Sequence, residues 1–259
     1  MSDYSDITVE KRQPGTLLIT LNRPEARNAL RTHLLSEIAA VLSDAEQDDM
    51  VTCVIITGGE KVFAAGADVK EMAEHNAVSL WKDERPRHWK SIREFSKPII
   101  AAVNGFCLGG GFELAMHADI IIAGSNAQFG QPEINLGIIP GAGGTQRLVR
   151  TVGKSLAMKM ILSGEFISAD EALTAGIAAE ITQPENTLRR AEKLAATIAK
   201  KSPIALKVAK QAILNAYETS LEQGLDNERK AFLFLAATED RNEGIAAFME
   251  KRSPKFTGN

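Results

Sequence analysis

The alternation of short β-branched runs with helical stretches in the first half of the chain constrains the fold most. Residues 51–57, 99–103 and 120–123 are apolar on both faces and are bounded by Gly or Pro, which is typical of buried strands. Residues 34–42 and 80–95 lie between these runs and have apolar residues at helical spacing. Because strands that alternate with helices are joined by crossover connections, this order predicts an α/β fold with a mainly parallel sheet.

The two ends of the chain follow other patterns. Residues 7–11 and 17–21 predict two strands, and the Gln-Pro-Gly sequence at 13–15 predicts a hairpin turn between them. After about residue 143 the strand signal fades, and helices are predicted over residues 153–162, 169–175, 187–200, 203–217, 221–237 and 241–251. The apolar faces of the last helices either cover the sheet or pack against another subunit, and the sequence favours neither.

Composition excludes several classes of protein. A net charge of −3 over 259 residues argues against a nucleic-acid partner, and two cysteines argue against a disulfide scaffold and fit a reducing compartment. The four histidines are not at metal-ligand spacing, and the apolar runs are far shorter than a membrane span. Asp3, Asp6 and Glu10 precede any basic run, which argues against a signal peptide. We therefore expect a cytoplasmic protein without a metal or a membrane partner.

Of three familiar nucleotide and hydrolase motifs, two are incomplete and one is absent. The Gly-Lys-Ser sequence at 153–155 resembles the end of a phosphate-binding loop, but Leu148 stands where its leading glycine should be. The three glycines at 109–111 begin a dinucleotide fingerprint, but Leu114 replaces its last glycine. A Gly-x-Ser-x-Gly nucleophile elbow does not occur in the sequence.

Two glycine- and alanine-rich segments follow predicted buried strands and precede helices. The first, residues 104–113, contains the glycines at 109–111, and the second covers residues 63–70. Backbone N–H groups at a helix N-terminus lack intrahelical acceptors, and small side chains let a ligand approach them closely. Such donors can form an oxyanion hole, whereas the ordinary alternative is a tight turn or a closely packed loop.

Two glutamates accompany these segments. Glu113 lies in the predicted first helical turn, and Glu133 lies among apolar and glycine residues between 129 and 146. Burial in such surroundings favours the neutral carboxyl group, so Glu133 could hold or donate a proton near neutral pH. The ordinary alternative for either residue is a capping or salt-bridged surface glutamate. Together, two donor segments and two carboxylates can polarise a carbonyl group while moving protons beside it.

These residues resemble the crotonase, or enoyl-CoA hydratase/isomerase, superfamily over nearly the whole chain. The segments that carry the resemblance occur in the family's order, at residues 21–24 with 28–30, 63–68, 98–105, 109–113, 129–148 and 239–244. The resemblance implies a spiral of ββα units with an acyl-CoA site over residues 1–195. It also implies a C-terminal helical trimerisation region over residues 196–259.

The resemblance implies the following chemistry. The backbone N–H groups of Ala67 and Gly110 would form the oxyanion hole, with Glu113 as the base that activates water and Glu133 as the acid. Because both glutamates are present, it favours a hydratase that converts a trans-2-enoyl-CoA into a 3-hydroxyacyl-CoA. No cofactor is expected, since coenzyme A is part of the substrate. The alternatives are a 3,2-enoyl-CoA isomerase and a non-catalytic acyl-CoA-binding scaffold subunit.

The resemblance also assigns contacts to CoA and substrate, namely Ala26, Arg27, Ala65, Asp68, Lys70, Pro140 and Gly141. The chain departs from several relatives in having Glu25 where they carry a basic residue. The CoA phosphates would then depend on Arg23, Arg27, Lys70 or a neighbouring subunit's Lys251.

The expected assembly is a homotrimer or homohexamer in which the C-terminal helices complete a neighbour's pocket. Phe248 and Lys251 are the candidates for this contact. A related isomerase subunit is a further candidate partner.

The acyl group is less constrained by the sequence. Arg85-Pro86 with Trp89 resembles hydratases of phenylacetate catabolism that act on 2,3-dehydroadipyl-CoA. Arg85, Arg87 or His88 would then pair with a distal carboxylate. The alternative is a solvated basic helix face, and short-chain crotonyl-CoA fits the candidate catalytic residues equally well.

Overall fold

Ten strands form two sheets in the computed structural model, which describes residues 4–12 and 14–259. The strands are β1 (Ile7–Arg12), β2 (Thr16–Leu21), β3 (Cys53–Thr57), β4 (Val62–Ala64), β5 (Ile99–Val103), β6 (Phe106–Leu108), β7 (Ile120–Gly124), β8 (Gln128–Gly130), β9 (Ile167–Ser168) and β10 (Glu180–Thr182). The α-helices are α1 (Thr32–Gln47), α2 (Val69–Ala73), α3 (Ala77–Trp81), α4 (Arg85–Glu94), α5 (Gly110–His117), α6 (Gly144–Ser163), α7 (Ala169–Thr174), α8 (Thr187–Ile198), α9 (Pro203–Asn215), α10 (Leu221–Leu235) and α11 (Glu239–Met249). Short 3-10 helices span Pro24–Ala26, Pro132–Leu136 and Pro184–Asn186.

The larger sheet has six strands in the order β1-β2-β3-β5-β7-β10. β1 and β2 form an antiparallel hairpin in which Ile7 pairs with Leu21, and the other neighbouring strands are parallel. Every residue of β3 and β5 is buried, as expected for strands covered on both faces. The hairpin and the mainly parallel sheet are therefore confirmed, although Gln13 of the predicted turn lies outside the described residues.

The smaller sheet has four strands in the order β4-β6-β8-β9, and its first three strands are parallel. β3, β5 and β7 of the larger sheet are each followed by one of these strands and then by a helix, which is α2, α5 or the 3-10 helix Pro132–Leu136. The carboxyl ends of parallel strands lie at the same edge of a sheet. The loops that follow β4, β6 and β8 therefore meet, and the ββα repeat brings the two glycine- and alanine-rich segments and Glu133 together.

Two predictions about regular elements were wrong. Strands β9 and β10 occur after residue 143, but they have only two and three residues and are too short to show an alternating pattern. The helix predicted over 80–95 is two helices, α3 and α4, with Pro86 in the first turn of α4. Proline lacks an N–H group, so it is accommodated at a helix start and not in a helix interior.

The remaining helices cover the sheet or extend from it. α8 packs its buried Ala191 and Ala195 against the apolar residues Leu18, Ile55 and Ile100 of the larger sheet. α9 is joined to the core by Lys210, whose Nζ lies 2.9 Å from Asp119 Oδ2 and 2.9 Å from Lys97 O.

The structure also bears on the predicted division of the chain and on membrane-spanning helices. The predicted boundary between residues 195 and 196 falls within α8, and the division into two regions stays a prediction. Within residues 4–12 and 14–259, no helix is both long enough and apolar enough to span a bilayer.

Candidate active site

The loops that follow β4, β6 and β8 are in close contact at Gly109. Gly109 has φ of 51°, which favours glycine, and a Cβ atom placed on it would lie 2.9 Å from Glu133 Oε1 and 3.6 Å from Gly66 Cα. A side chain at position 109 would therefore enter the space of the Glu133 carboxylate. Gly109 is required here by both its backbone conformation and the proximity of Glu133.

The N–H groups of Ala67 and Gly110 lie side by side. Gly110 is the first residue of α5, so its N–H has no intrahelical acceptor. Leu30 N donates to Gly66 O and Asp68 N donates to Leu30 O, which leaves the Ala67 N–H between these two bonds without an acceptor among the described residues. A Cβ atom on Gly110 would lie 3.4 Å from Ala67 N. The structure thus brings the two predicted donors together.

Glu113 is held in place by a second pair of backbone donors. Its side chain is buried, and Ala142 N and Gly144 N each donate to its Oε1 over 2.7 Å. Burial raises the pKa of Glu113 above its usual range, while the two N–H donors and the charge of Arg147 oppose this shift. Because one oxygen is occupied by these donors, the other is free to interact with a ligand.

Glu133 is half-buried in the 3-10 helix Pro132–Leu136. Burial raises its pKa to about 7, and the nearby charge of Glu113 acts in the same direction. With its amide nitrogen turned toward the carboxylate, the buried Gln131 donates to Glu133 Oε1 over 3.0 Å and to Oε2 over 3.1 Å. Glu133 can therefore populate both its protonated and its ionised form near neutral pH.

The two glutamates and the two N–H donors line one cavity of about 1720 Å³. α9 supplies part of the cavity wall through Leu206, Ile213 and Leu214 of the same chain. The sequence showed an apolar face on this helix but left open what it covers. The structure places α9 over the cavity of its own chain.

Some of the predicted CoA and substrate residues also reach this cavity. Ala65 and Gly141 line it, and Pro140 is buried beside Gly141. Ala65 N donates to Arg27 O over 3.0 Å, so the backbone at Ala26 and Arg27 lies next to Ala65. The structure thus places these residues near the cavity, and their contacts with CoA stay a prediction.

Asp68 has a different environment. It caps α2 by accepting from Lys70 N and Glu71 N, and its Oδ2 lies 3.0 Å from Arg23 Nη2. Burial acts to raise the pKa of Asp68, but the hydrogen bond and charge of Arg23 and the backbone donors outweigh it, and the pKa is lowered. Asp68 is not among the cavity-lining residues of the described chain. Arg23 is occupied by this ion pair, so it is a poor candidate for the CoA phosphates.

Other predicted contacts lie away from the cavity. Lys70 and Arg27 have exposed side chains, and Glu25 is also exposed. Phe248, at the end of α11, is 86% exposed, and Lys251 just beyond it is exposed as well. Neither lies in the cavity wall of its own chain as described. Their contact with a neighbouring subunit stays a prediction.

The sequence reasoning missed His117. It follows Glu113 by one helical turn, its Nδ1 donates to Glu113 O over 2.8 Å, and its ring stacks on Trp89 with centroids 5.1 Å apart. Burial lowers the pKa of His117 to about 4, and the charge of Arg147 adds to this effect. The ring is therefore neutral at pH 7. The four-residue spacing from Glu113 was the available signal, since it places both residues on one helix face.

Arg85, the first candidate for an acyl contact, is already paired. Its Nε lies 2.5 Å from Asp83 Oδ2, and its Nη1 lies 4.0 Å from Glu71 Oε2. Asp83 and Arg85 are largely buried, with side-chain exposures of 8% and 16%. The prediction that Arg85 is available to a distal carboxylate does not fit this geometry. The alternatives Arg87 and His88 do not fit it either, since neither is among the cavity-lining residues of the described chain.

Comparison with known proteins shows similarity over nearly the whole chain. Residues 11–259 match the enoyl-CoA hydratase/isomerase family. The chain is 52% identical over 250 residues to 2,3-dehydroadipyl-CoA hydratase of Escherichia coli K12, covering 96% of this chain and 98% of that protein. It is 47% identical over 257 residues to mitochondrial enoyl-CoA hydratase of Pongo abelii, covering 98% and 89% of the two chains. The crystal structure of enoyl-CoA hydratase from Bacillus anthracis aligns with a TM-score of 0.94 at 38% identity, covering 98% of this chain and all of that one (100%).

Proposed function

The chain belongs to the enoyl-CoA hydratase/isomerase family, and we propose that it is an enoyl-CoA hydratase. It adds water across the C2=C3 double bond of a trans-2-enoyl-CoA and gives a 3-hydroxyacyl-CoA. The observation that carries this proposal is the convergence of Glu113, Glu133 and the free N–H groups of Ala67 and Gly110 on one cavity. These groups supply a base, an acid and an oxyanion site for one substrate.

In the proposed reaction, the thioester oxygen binds to the N–H groups of Ala67 and Gly110. Negative charge develops on this oxygen when the nucleophile adds to C3, and the two donors stabilise the resulting enolate. Because the donors are fixed by β4, β6 and α5, they need no reorganisation during the reaction. Loss of one donor of this kind typically lowers the rate by ~10²–10³-fold.

Glu113 acts as the base and Glu133 as the acid. Glu113 takes a proton from water as the water oxygen bonds to C3, and Glu133 gives its proton to C2 as the enolate collapses. The donors from Ala142 and Gly144 favour the ionised form of Glu113, which a base requires. The pKa of Glu133, about 7, leaves a substantial protonated fraction near neutral pH, which an acid requires.

We propose that the acyl group is either short, as in crotonyl-CoA, or the six-carbon dicarboxylic chain of 2,3-dehydroadipyl-CoA. The similarity to the Escherichia coli enzyme of that name supports the second substrate and a place in phenylacetate catabolism. The isomerase alternative needs only one carboxylate beside the oxyanion site, and a scaffold needs none. The second cavity-facing glutamate therefore favours hydration over both.

We also propose a cytoplasmic homotrimer, alone or paired into a hexamer, with a related isomerase as a further candidate partner. The support is the number of exposed apolar side chains on the last two helices, which include Leu221, Leu225, Phe232, Leu233, Phe234, Ile245, Phe248 and Met249. Large exposed apolar patches mark protein interfaces. Phe248 and Lys251 would then reach the acyl-CoA pocket of a neighbouring subunit.

The purified protein tests the proposed reaction directly. Mixing it with crotonyl-CoA should remove the absorbance of the conjugated thioester, and mass spectrometry should show that the product has gained one water molecule. A product in which the double bond has moved without a gain of mass would identify an isomerase instead. If neither crotonyl-CoA nor 2,3-dehydroadipyl-CoA is hydrated, the hydratase proposal is wrong.

A further inference from the structure

Two arginines in the cavity wall lack acidic partners. Arg93 on α4 and Arg147 on α6 both line the cavity. In the described part of the chain, no carboxylate oxygen lies within 4.0 Å of either guanidinium group, and neither group donates a hydrogen bond to a protein acceptor. Arg85 on the same helix as Arg93 shows the contrast, since Asp83 neutralises it.

The unpaired state of Arg147 is unusual because its side chain is half-buried. A guanidinium group keeps its charge at any physiological pH, and its removal from water is unfavourable unless an anion compensates for it. Glu113 and Glu218 act on Arg147 only from beyond ion-pair distance, and Arg93 adds a second positive charge. The carboxylate of Glu94, which follows Arg93 in the chain, is paired with Lys90 instead, with 3.7 Å between Lys90 Nζ and Glu94 Oε1.

The position of the two arginines relative to the reacting groups defines what they could bind. A Cβ atom on Gly143 would lie 3.2 Å from Arg147 Nε, and Gly143 stands between the two residues whose N–H groups bind Glu113. Arg93 follows Trp89 by one helical turn, and Trp89 stacks on His117. Both arginines therefore lie on the Glu113 side of the cavity. The CoA contacts predicted at Ala26, Arg27 and Ala65 lie elsewhere, where the 3-10 helix after β2 meets the loop after β4.

We propose that Arg93 and Arg147 form a subsite for a carboxylate at the far end of the acyl chain, so that the enzyme selects dicarboxylic over monocarboxylic enoyl-CoA substrates. This inference rests on the proposed hydratase function. A carboxylate can accept two hydrogen bonds from a guanidinium group and would supply the anion that the cavity wall lacks. Arg150, which also lines the cavity, donates instead to Gln146 O over 2.9 Å and is not part of the subsite.

The test compares two six-carbon substrates, 2,3-dehydroadipyl-CoA and trans-2-hexenoyl-CoA, which differ only in the terminal carboxylate. For each, kcat/KM is measured with the wild-type enzyme and with the variants Arg93→Met and Arg147→Met. We expect each substitution to lower the ratio of kcat/KM for the dicarboxylic substrate to that for the monocarboxylic one by about 10- to 100-fold, as for loss of a hydrogen bond between charged groups. Arg147→Lys keeps the charge and should retain part of the preference.

Arg87→Met is the matched control. Arg87 is exposed on the same helix as Arg93 and does not line the cavity, so its replacement should leave the ratio unchanged. Thermal unfolding checks the fold of each variant. The Arg93 side chain is exposed at the cavity surface, so we expect Arg93→Met to fold normally. This variant therefore tests the subsite even if Arg147→Met is unstable.

The outcomes separate this inference from the proposed function. A wild-type enzyme that hydrates both substrates with equal kcat/KM overturns the subsite and leaves the hydratase function intact. The same holds where the variants lower kcat/KM equally for both substrates, which would indicate a contact with the CoA moiety that the substrates share. Hydration of neither substrate overturns the function and the subsite together.

Discussion

The environment of Glu133 makes it the residue on which the proposed chemistry depends most directly. Its pKa of about 7 comes from burial and from the nearby charge of Glu113. Glu133→Gln keeps the size of the side chain but cannot donate an acidic proton. We expect kcat for hydration to fall at least ~10²-fold, with binding of CoA largely kept. Steady-state kinetics together with calorimetry of CoA binding would show this, and a variant with wild-type kcat would remove Glu133 from the mechanism.

The same pKa predicts how the rate depends on pH. An acid must be protonated to act, so kcat/KM should fall as pH rises through about 7, the pKa of Glu133 in the free enzyme. Glu113 must be ionised, and its raised pKa adds a fall on the acidic side. In Glu133→Gln the residual rate should lose its basic limb, since the titrating group is gone. A basic limb that persists unchanged in this variant would assign it to another residue.

At the residue scale, the sequence predicted correctly which catalytic groups lie together, but it did not predict which ion pairs form. Glu113, Glu133, Ala67 and Gly110 lie at the cavity because short loops after parallel strands fix their positions. Long charged side chains have no such constraint. The pairing of Arg85 with Asp83, only two positions away, depends on side-chain rotamers and on the break between α3 and α4. Sequence spacing alone does not determine these.

At the scale of elements, the turn from β6 to α5 determines the distance between the oxyanion donor Gly110 and the acid Glu133. Gly109 in this turn precedes Gly110 and lies against the Glu133 carboxylate. Gly109→Ala would add a Cβ atom 2.9 Å from Glu133 Oε1 at a residue with φ of 51°. We expect kcat to fall at least tenfold, roughly the effect of displacing a catalytic group by a fraction of an ångström. The measurement is kcat for crotonyl-CoA hydration beside the melting temperature.

Gly59→Ala is the control for backbone strain in that experiment. Gly59 has φ of 93°, but a Cβ atom there would meet nothing within 4 Å, and the residue is not in the cavity wall. Each variant should lose about 1 kcal/mol of stability because an L-residue disfavours positive φ. Only Gly109→Ala should lose activity. Equal loss of kcat in both variants would mean that strain, and not displacement of Glu133, is responsible.

The elements that the sequence left unpredicted are the short ones. β4, β6 and β8 have three residues each, which is too few for a period-2 pattern, yet they form the edge at which the site assembles. Residues 63–70 and 104–113 were identified by their small side chains, not as strands. α9 was predicted from its correct first residue and two residues beyond its end, because thirteen residues are long enough to show an apolar face. What that face covers is a tertiary contact and could not be predicted from periodicity.

At the scale of the whole molecule, α10 carries no buried residue within the single chain, although Leu221, Leu225 and Phe232 face outward from it. A helix with this composition gains most of its stability from packing, so it requires a partner surface. The resemblance to the crotonase superfamily predicted assembly through this region. In one chain, five large apolar side chains of α10 are exposed, and their contact with a neighbouring subunit stays a prediction.

A charge placed on α10 tests the assembly. Phe232 is 64% exposed in the single chain, so Phe232→Asp should cost a monomer little. In a trimer that buries this helix, the unpaired carboxylate would be desolvated, and we expect the oligomer to dissociate at micromolar concentration.

Met50→Asp is the control, since Met50 is 75% exposed in the loop before β3, far along the chain from the C-terminal helices. Sedimentation velocity should show trimers or hexamers for the wild type and for Met50→Asp, and smaller species for Phe232→Asp. If Phe232→Asp sediments like the wild type, α10 is not the assembly surface; if the wild type itself is monomeric, the proposed trimer is wrong.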